Sequence, residues 1–98
     1  MALEIIFAPA VQKDVDSAAR YLSARNPEAA ANMLRQLDRT LELMSGRPFM
    51  GPVVSAGKYR DMRKITMPPY AVYYRVLGNS IEIARMLHHA QESERRKL

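Results

Sequence analysis

The sequence predicts a small α+β domain: an N-terminal strand, then an antiparallel helical hairpin packed on one face of a small antiparallel sheet, in the order β-α-α-β-β-β. Three observations predict it. Apolar residues recur at helical spacing twice between Pro9 and Met44, and the two periodic stretches meet at Asn26-Pro27. The segment Tyr70–Leu87 reads as two runs rich in Val, Ile and Tyr around a central Gly78-Asn79, the residues of paired strands and of a tight hairpin turn. Between these halves, residues 47–57 hold two prolines and two glycines and read as a loop.

Taken in order, Leu3–Phe7 is a short apolar run with Leu3, Ile5 and Phe7 on one face, read as the first strand. Pro9 limits it and suits the first turn of a helix. There Val11, Val15, Ala18 and Leu22 form a stripe, with Lys13, Asp14, Asp16 and Arg20 largely on other faces. Asp16 and Arg20 are four apart in the favourable order. The helix is expected to end near Arg25. Asn26 then caps a second helix that starts at Pro27, because asparagine accepts a free N–H and proline needs none of its own. Its stripe is Ala30, Met33 or Leu34, Leu37, Leu41 and Met44, and Gly46 stands where a C-terminal cap belongs. Helices joined so tightly must run antiparallel.

A strand is expected from Lys58 to Met67, where Met62 and Ile65 fall on opposite faces unless a bulge intervenes. Pro68-Pro69 closes it, since neither residue donates to a ladder. In the hairpin, strict alternation puts Tyr70, Val72, Tyr74 and Val76 on one face and Ala71, Tyr73, Arg75 and Leu77 on the other. In its second run Ile81, Ile83, Arg85 and Leu87 then oppose Glu82, Ala84, Met86 and His88. The polar tail, residues 91–98, either adds a helical turn or frays.

The chain has 98 residues and reads as a single domain, 1–98, with an apolar share of 48% that suits a packed core. Cysteine is absent, which excludes a disulfide framework, a thiol nucleophile and a Cys-ligated zinc site. No apolar run approaches the roughly 20 residues of a membrane span, and the N-terminal stretch lacks a basic leader, so a cytoplasmic location is expected. Residues 1–49 carry six Lys/Arg and six Asp/Glu, whereas residues 50–98 carry nine against four, so the whole net charge of +5 sits in the second half. A basic half-domain suits an acidic partner, or simply keeps a small protein soluble.

Metal binding has weak support: His88 and His89 are adjacent, and on a strand they point to opposite faces. No phosphate-cradling glycine loop or nucleophile elbow occurs, and no cofactor is expected. The chemistry-bearing groups are Arg60, Arg63, Lys64, Arg75, Arg85 and the two histidines, interleaved with Tyr59, Tyr70, Tyr73 and Tyr74. Three readings fit these residue types: a surface that holds and cleaves RNA, anchors for a protein partner, or half-buried sheet residues among solvated arginines.

Spread along the chain are Pro9-Ala10 with Asp14, Tyr21, Asn26-Pro27 with Ala29-Ala30, Pro48, Gly51, and Gly57 with Arg60. Tyr70 with Val72-Tyr73-Tyr74-Arg75 follows, then Ile81-Glu82-Ile83 with Arg85, Leu87 and His88. In this order and spacing they resemble the RelE/ParE toxin superfamily, within it the ParE branch, from the N-terminal strand to about Ala90. The resemblance implies the fold read above and a toxin of a type II toxin–antitoxin pair. Its cognate antitoxin would be a small DNA-binding protein whose acidic segment wraps the toxin and which alone supplies contact with operator DNA.

The branches differ in target. The RelE-like members resemble ribosome-dependent mRNA endonucleases. Thr66 stands where that pattern has a catalytic arginine, Ala90 falls near its basic position, and no tyrosine follows Tyr74; other nuclease members end the last strand in a His-Tyr pair, where this chain has His88-His89. The ParE-like members are associated with inhibition of DNA gyrase by binding, so no catalytic residue is expected. Arg63, Arg75, Arg85 and His88 are the candidates for target contact, and Tyr59, Arg60 and Tyr74 for antitoxin contact. An inactive module that only binds a partner is the remaining alternative.

Overall fold

A computed structural model describes residues 3–96, and the side chains of residues 3–92. Among these residues the elements run β1 (Glu4–Phe7), α1 (Pro9–Arg25), α2 (Pro27–Gly46), β2 (Arg63–Met67), β3 (Tyr70–Leu77), β4 (Ser80–His88) and α3 (His89–Arg96). The strands form one sheet in the order β1-β4-β3-β2. β1 runs parallel to β4, and the other pairs are antiparallel, so the sheet is mixed rather than wholly antiparallel. No helix among the described residues is long and apolar enough to cross a membrane.

Asn26 both closes one helix and opens the next. Its N–H donates to the Leu22 carbonyl at 2.7 Å, and its side-chain oxygen accepts from the Glu28 N–H at 3.0 Å. Gly46 is the last residue of α2 rather than its cap; the N–H of Arg47 makes the closing bond, to Leu43. The hairpin lays Val11, Met33, Leu37 and Met44 on Met67, Tyr70, Val72, Tyr74, Ile81, Ile83 and Met86 of the sheet. Met33, not Leu34, belongs to the stripe: the first is buried and the second is 44% exposed. Each fully buried side chain of this size contributes about 1.5–3 kcal/mol of hydrophobic stabilisation. Leu3 and Ile5 pack at the margin of this core, but Phe7, at the end of an edge strand, stays exposed. Hydrogen bonds from the Leu3 N–H to the Ser45 carbonyl (3.1 Å) and from the Ser45 hydroxyl to the Leu3 carbonyl (2.7 Å) tie the start of β1 to the end of α2.

The strand expected from Lys58 begins only at Arg63. Gly57 (φ 88°) and Asp61 (φ 74°) lie in the left-handed region, which an extended strand cannot use, and bonds from Arg60 N to Gly57 O and from Met62 N to Tyr59 O fold residues 57–62 into turns. Met62 and Ile65 do face opposite sides, and the β2–β3 register is unbroken. The irregularity lies instead in the hairpin. Tyr73 pairs with Arg85 and Tyr74 with Ile83, which leaves Ala84 as an extra residue. That bulge carries Arg85 and Leu87 to the side of Tyr73 and Ala71, and Met86 and His88 to the helix side, so strict alternation fails after Ile83. At the tip Gly78 takes φ 57° and Asn79 does not, the arrangement of a type II′ turn. The polar tail forms α3, with Lys97 and Leu98 outside the described residues.

Candidate binding surface

β1 ends early. Its last ladder bond is from the Ala8 N–H to the Ile83 carbonyl at 3.0 Å, after which Pro9 turns the chain into α1. The edge of β4 beyond Ile83 therefore has no strand beside it, and a side chain takes the missing partner's place. The Asp14 carboxylate accepts the Met86 N–H at 2.9 Å. The same carboxylate accepts from Arg85 twice, from Nε at 2.7 Å and Nη2 at 2.9 Å, and Arg85 Nη1 reaches on to the Tyr59 hydroxyl at 3.2 Å. Arg85 thus straps α1, on one side of the sheet, to the 54–62 loop on the other. The hydrogen bond to Asp14 raises the guanidinium above its already high ordinary pKa, against the opposing effect of burial.

The side of the sheet away from the helical hairpin carries a second, smaller apolar cluster of Ala71, Tyr73 and Leu87, with Val54, Tyr59 and Met62 packed on it. The cross-strand register sets Lys64, Tyr73 and Arg85 in one row across this face. Tyr59 stacks on Tyr73 with ring centroids 4.6 Å apart and a tilt of 31°. From α3, Glu92 turns back onto the row. It accepts the Tyr73 hydroxyl, pairs with Lys64 at 3.0 Å and meets His89 Nδ1 at 3.3 Å. Burial pushes the Glu92 carboxyl up, but the hydrogen bonds of Tyr73, Lys64 and His89 outweigh it and hold the pKa below the ordinary value. Around this point opens a recess of about 750 Å³ lined by Val54, Lys58, Tyr59, Lys64, Tyr73 and Glu92 among others.

The four residues expected at the target do not converge. Arg63 lies at the outer strand, pairs in register with core-facing Tyr74, and donates to the carbonyls of Gly51 (2.7 Å) and Phe49 (3.2 Å). Arg75 is exposed near the hairpin tip, bonded to Glu82 at 3.1 Å. Arg85 is the strap described above. His88 is on the helix side, edge-on to Tyr70 at 5.6 Å, beside a cavity of about 460 Å³ that Asp14 and Tyr21 also line. Its Nδ1 accepts the Ala90 N–H at 3.0 Å, so the neutral ring carries its proton on Nε2. Burial, with Tyr21 nearby, pushes the neighbouring Tyr70 hydroxyl above its ordinary pKa.

Of the residues expected at an antitoxin, Arg60 is exposed in the 57–60 turn and Tyr59 half-buried at the recess. Tyr74 is fully buried. Its hydroxyl donates to the Pro48 carbonyl at 2.9 Å and accepts the Gly51 N–H at 3.0 Å, so it presents no surface to a partner. Asp14 and Glu92 were missed as site residues. Asp14 reads from the sequence as one polar residue on a helix face. Glu92 carries only a weak signal, an acid three residues after His89.

A family model described as the ParE toxin of the type II toxin–antitoxin system, parDE, matches residues 5–93. The chain belongs to the ParE toxin family. Toxin RelE1 of Caulobacter vibrioides is 26% identical over 92 residues, covering 90% of this chain and 95% of that protein. Among solved structures, the chromosomal ParDE toxin–antitoxin system of P. aeruginosa superposes with a TM-score of 0.74 at 17% identity, covering 89% of this chain and 96% of that one. The RelBE2 toxin–antitoxin complex of Mycobacterium tuberculosis gives 0.65 at 14% identity, over 90% and 99%. These likenesses establish a shared fold. In this ParE-family toxin, several residues that carry the resemblance are framework: Asp14 and Arg85 form the strap, Asn26 joins the helices, and Pro48, Gly51 and Tyr74 lock the loop to the core.

Proposed function

We propose that this ParE-family toxin arrests growth by binding, with DNA gyrase as its target, and that a cognate antitoxin bearing an acidic segment neutralises it. The placement of the cations supports binding over RNA cleavage. Arg63, Arg75 and Arg85 are each held by carbonyls or carboxylates of the chain itself, and His88 points to the opposite side of the sheet from Arg85. A nuclease site brings a proton-transferring group and phosphate-holding cations within reach of one bond, and His88 with Arg85 does not meet that geometry. Exposed Arg75 and His88 serve better as contacts than as catalysts. The antitoxin is supported by relatives solved as ParDE and RelBE2 pairs and by the net positive charge of the second half of the chain. Arg60 and Tyr59 are its expected anchors.

A second reading, ribosome-dependent mRNA cleavage, has one observation in its favour: Lys64, Tyr73 and Arg85 share a row on one face with Tyr59 above it. Expression of the chain without an antitoxin separates the two. Filamentation, SOS induction and accumulated gyrase-cleaved DNA are expected. Ribosome-dependent cuts in mRNA with intact DNA would overturn the proposal in favour of the second reading, and unimpeded growth of cells holding folded protein would overturn both.

A further inference from the structure

β2 is the outer strand of the sheet, and the chain covers part of its free edge itself. The Lys64 N–H donates to the Pro52 carbonyl at 3.0 Å and the Val54 N–H to the Met62 carbonyl at 2.7 Å, with Val53 bridged to Arg63 between them. The residues just before, 48–51, are held from inside. The buried Tyr74 hydroxyl binds the Pro48 carbonyl and the Gly51 N–H, Arg63 Nη1 binds the carbonyls of Phe49 and Gly51, and the Met50 N–H donates to the Arg47 carbonyl at 3.1 Å. Yet the apolar side chains on this fixed backbone are exposed: Phe49 by 64%, Val53 by 52% and Met50 by 45%. The Phe49 ring lies 5.0 Å from the Arg63 guanidinium, and Val53, directly opposite Arg63, shares its side of the sheet. A loop so constrained loses little freedom when a partner covers it.

Charge gathers at the same edge. Residues 47–64 hold five Lys/Arg against one Asp, which is four of the five excess positive charges of the whole chain. Arg47, Lys58 and Arg60 are exposed, and no ion pair among the described residues engages them. Phenylalanine, methionine and arginine are the residues enriched where protein partners meet, and interfaces with nucleic acid are more polar than this one. An acidic segment with apolar side chains at intervals complements both features. We propose that Phe49, Met50 and Val53, ringed by Arg47, Lys58 and Arg60, form the docking surface for the acidic segment of the antitoxin. The inference rests on the antitoxin reading and adds to it the place of contact and the apolar anchors.

The test titrates the full chain and its variants with the cognate antitoxin, at low and at high salt. Phe49→Ser/Met50→Ser is expected to melt with the parent and to bind the antitoxin about 100-fold more weakly. Arg47→Glu/Lys58→Glu/Arg60→Glu should slow association about tenfold at low salt, with the difference shrinking at high salt. Leu77→Ser removes a side chain of similar exposure, 47%, from the hairpin tip and should leave binding as it was. If the serine double variant melts too low to assay, the charge reversal, which alters only exposed side chains, carries the same comparison. Parent and both variants binding alike would overturn this surface and leave the antitoxin reading standing. An equal loss in Leu77→Ser would do the same. An antitoxin that does not bind the parent would overturn both. Duplex DNA held by the parent, released by the charge reversal and not displaced by the antitoxin, would overturn the proposal in favour of a nucleic-acid surface.

Discussion

Replacing Asp14 by alanine should destabilise the fold far more than its place on a helix surface suggests. The change removes the acceptor of two Arg85 bonds and of the Met86 N–H at once, and the Asp14 side chain is 11% exposed. Breaking a buried ion pair by removing one partner costs about 3–5 kcal/mol. Arg85 keeps the Tyr59 hydroxyl and is 22% exposed, which brings the expectation down to about 2–3 kcal/mol. For a domain of this size that is a fall in Tm of roughly 10–20 °C. The chain has no tryptophan, so far-UV circular dichroism should follow the transition. Asp16→Ala is the control. Its ion pair with Arg20 is as short, at 2.8 Å, but the side chains are 58% and 79% exposed, and its loss should cost less than about 0.5 kcal/mol. Asp14→Ala combined with Arg85→Met should be less destabilised than the sum of the two, by about 1 kcal/mol or more, since neither partner is then left unpaired. A Tm for Asp14→Ala within about 3 °C of the parent, or an additive cycle, would refute the strap.

Gly51→Ala should cost about 1–3 kcal/mol, because its new methyl would sit 2.8 Å from the Lys64 carbonyl and 2.9 Å from the Tyr74 hydroxyl. Gly46→Ala, where nothing lies within 4 Å of the new carbon, should be neutral or stabilising; equal melting of the two would dispose of the close-approach argument. Asn26→Ala should lose about 1 kcal/mol through the freed Glu28 N–H, measured by urea denaturation, and no change would mean the cap is dispensable. The docking of α3 should depend on pH. Glu92 has a lowered folded pKa, so its contribution is fully present above the ordinary glutamate value and disappears as pH falls through the depressed one. Protection of the α3 amides, relative to the intrinsic exchange rate at each pH, should therefore fall on acidification in the parent but not in Glu92→Gln, and parallel profiles would count against it.

What could be read from the residues was whatever depends on neighbours in sequence. The Asn26-Pro27 junction was visible because cap and first helical residue are adjacent, and the Gly78-Asn79 turn because two residues decide it. The β2 boundary was misplaced because the two positive φ angles at Gly57 and Asp61 follow from loop closure over Tyr73, and an aspartate in the left-handed region leaves no compositional mark. Tyr74 had the residue type of an interface anchor. Only the fold shows that its hydroxyl is spent on Pro48 and Gly51. Arg85 meets a carboxylate 71 residues away, a distance across which no local pattern operates.

The bulge at Ala84 and the early end of β1 have one consequence between them. Ile83 is both the last residue of β4 that β1 covers and the last before the register shifts. Up to that point β4 is an interior strand with an alternating pattern, Ile81 and Ile83 inward and Glu82 outward. Beyond it β4 is an edge, and an unpaired edge must be covered or charged if it is not to recruit another strand. Asp14 covers it by taking the Met86 N–H, and it can do so because the bulge turns Met86 into the helix-side core and leaves Arg85 free to reach the same carboxylate. Without the extra residue, Arg85 would stay in phase with Ile81 and Ile83, on the core side, where a guanidinium has no acceptable partner among Val11, Met33 and Leu37. The bulge brings Arg85 into the row with Tyr73 and Lys64, the row onto which Glu92 of α3 folds back.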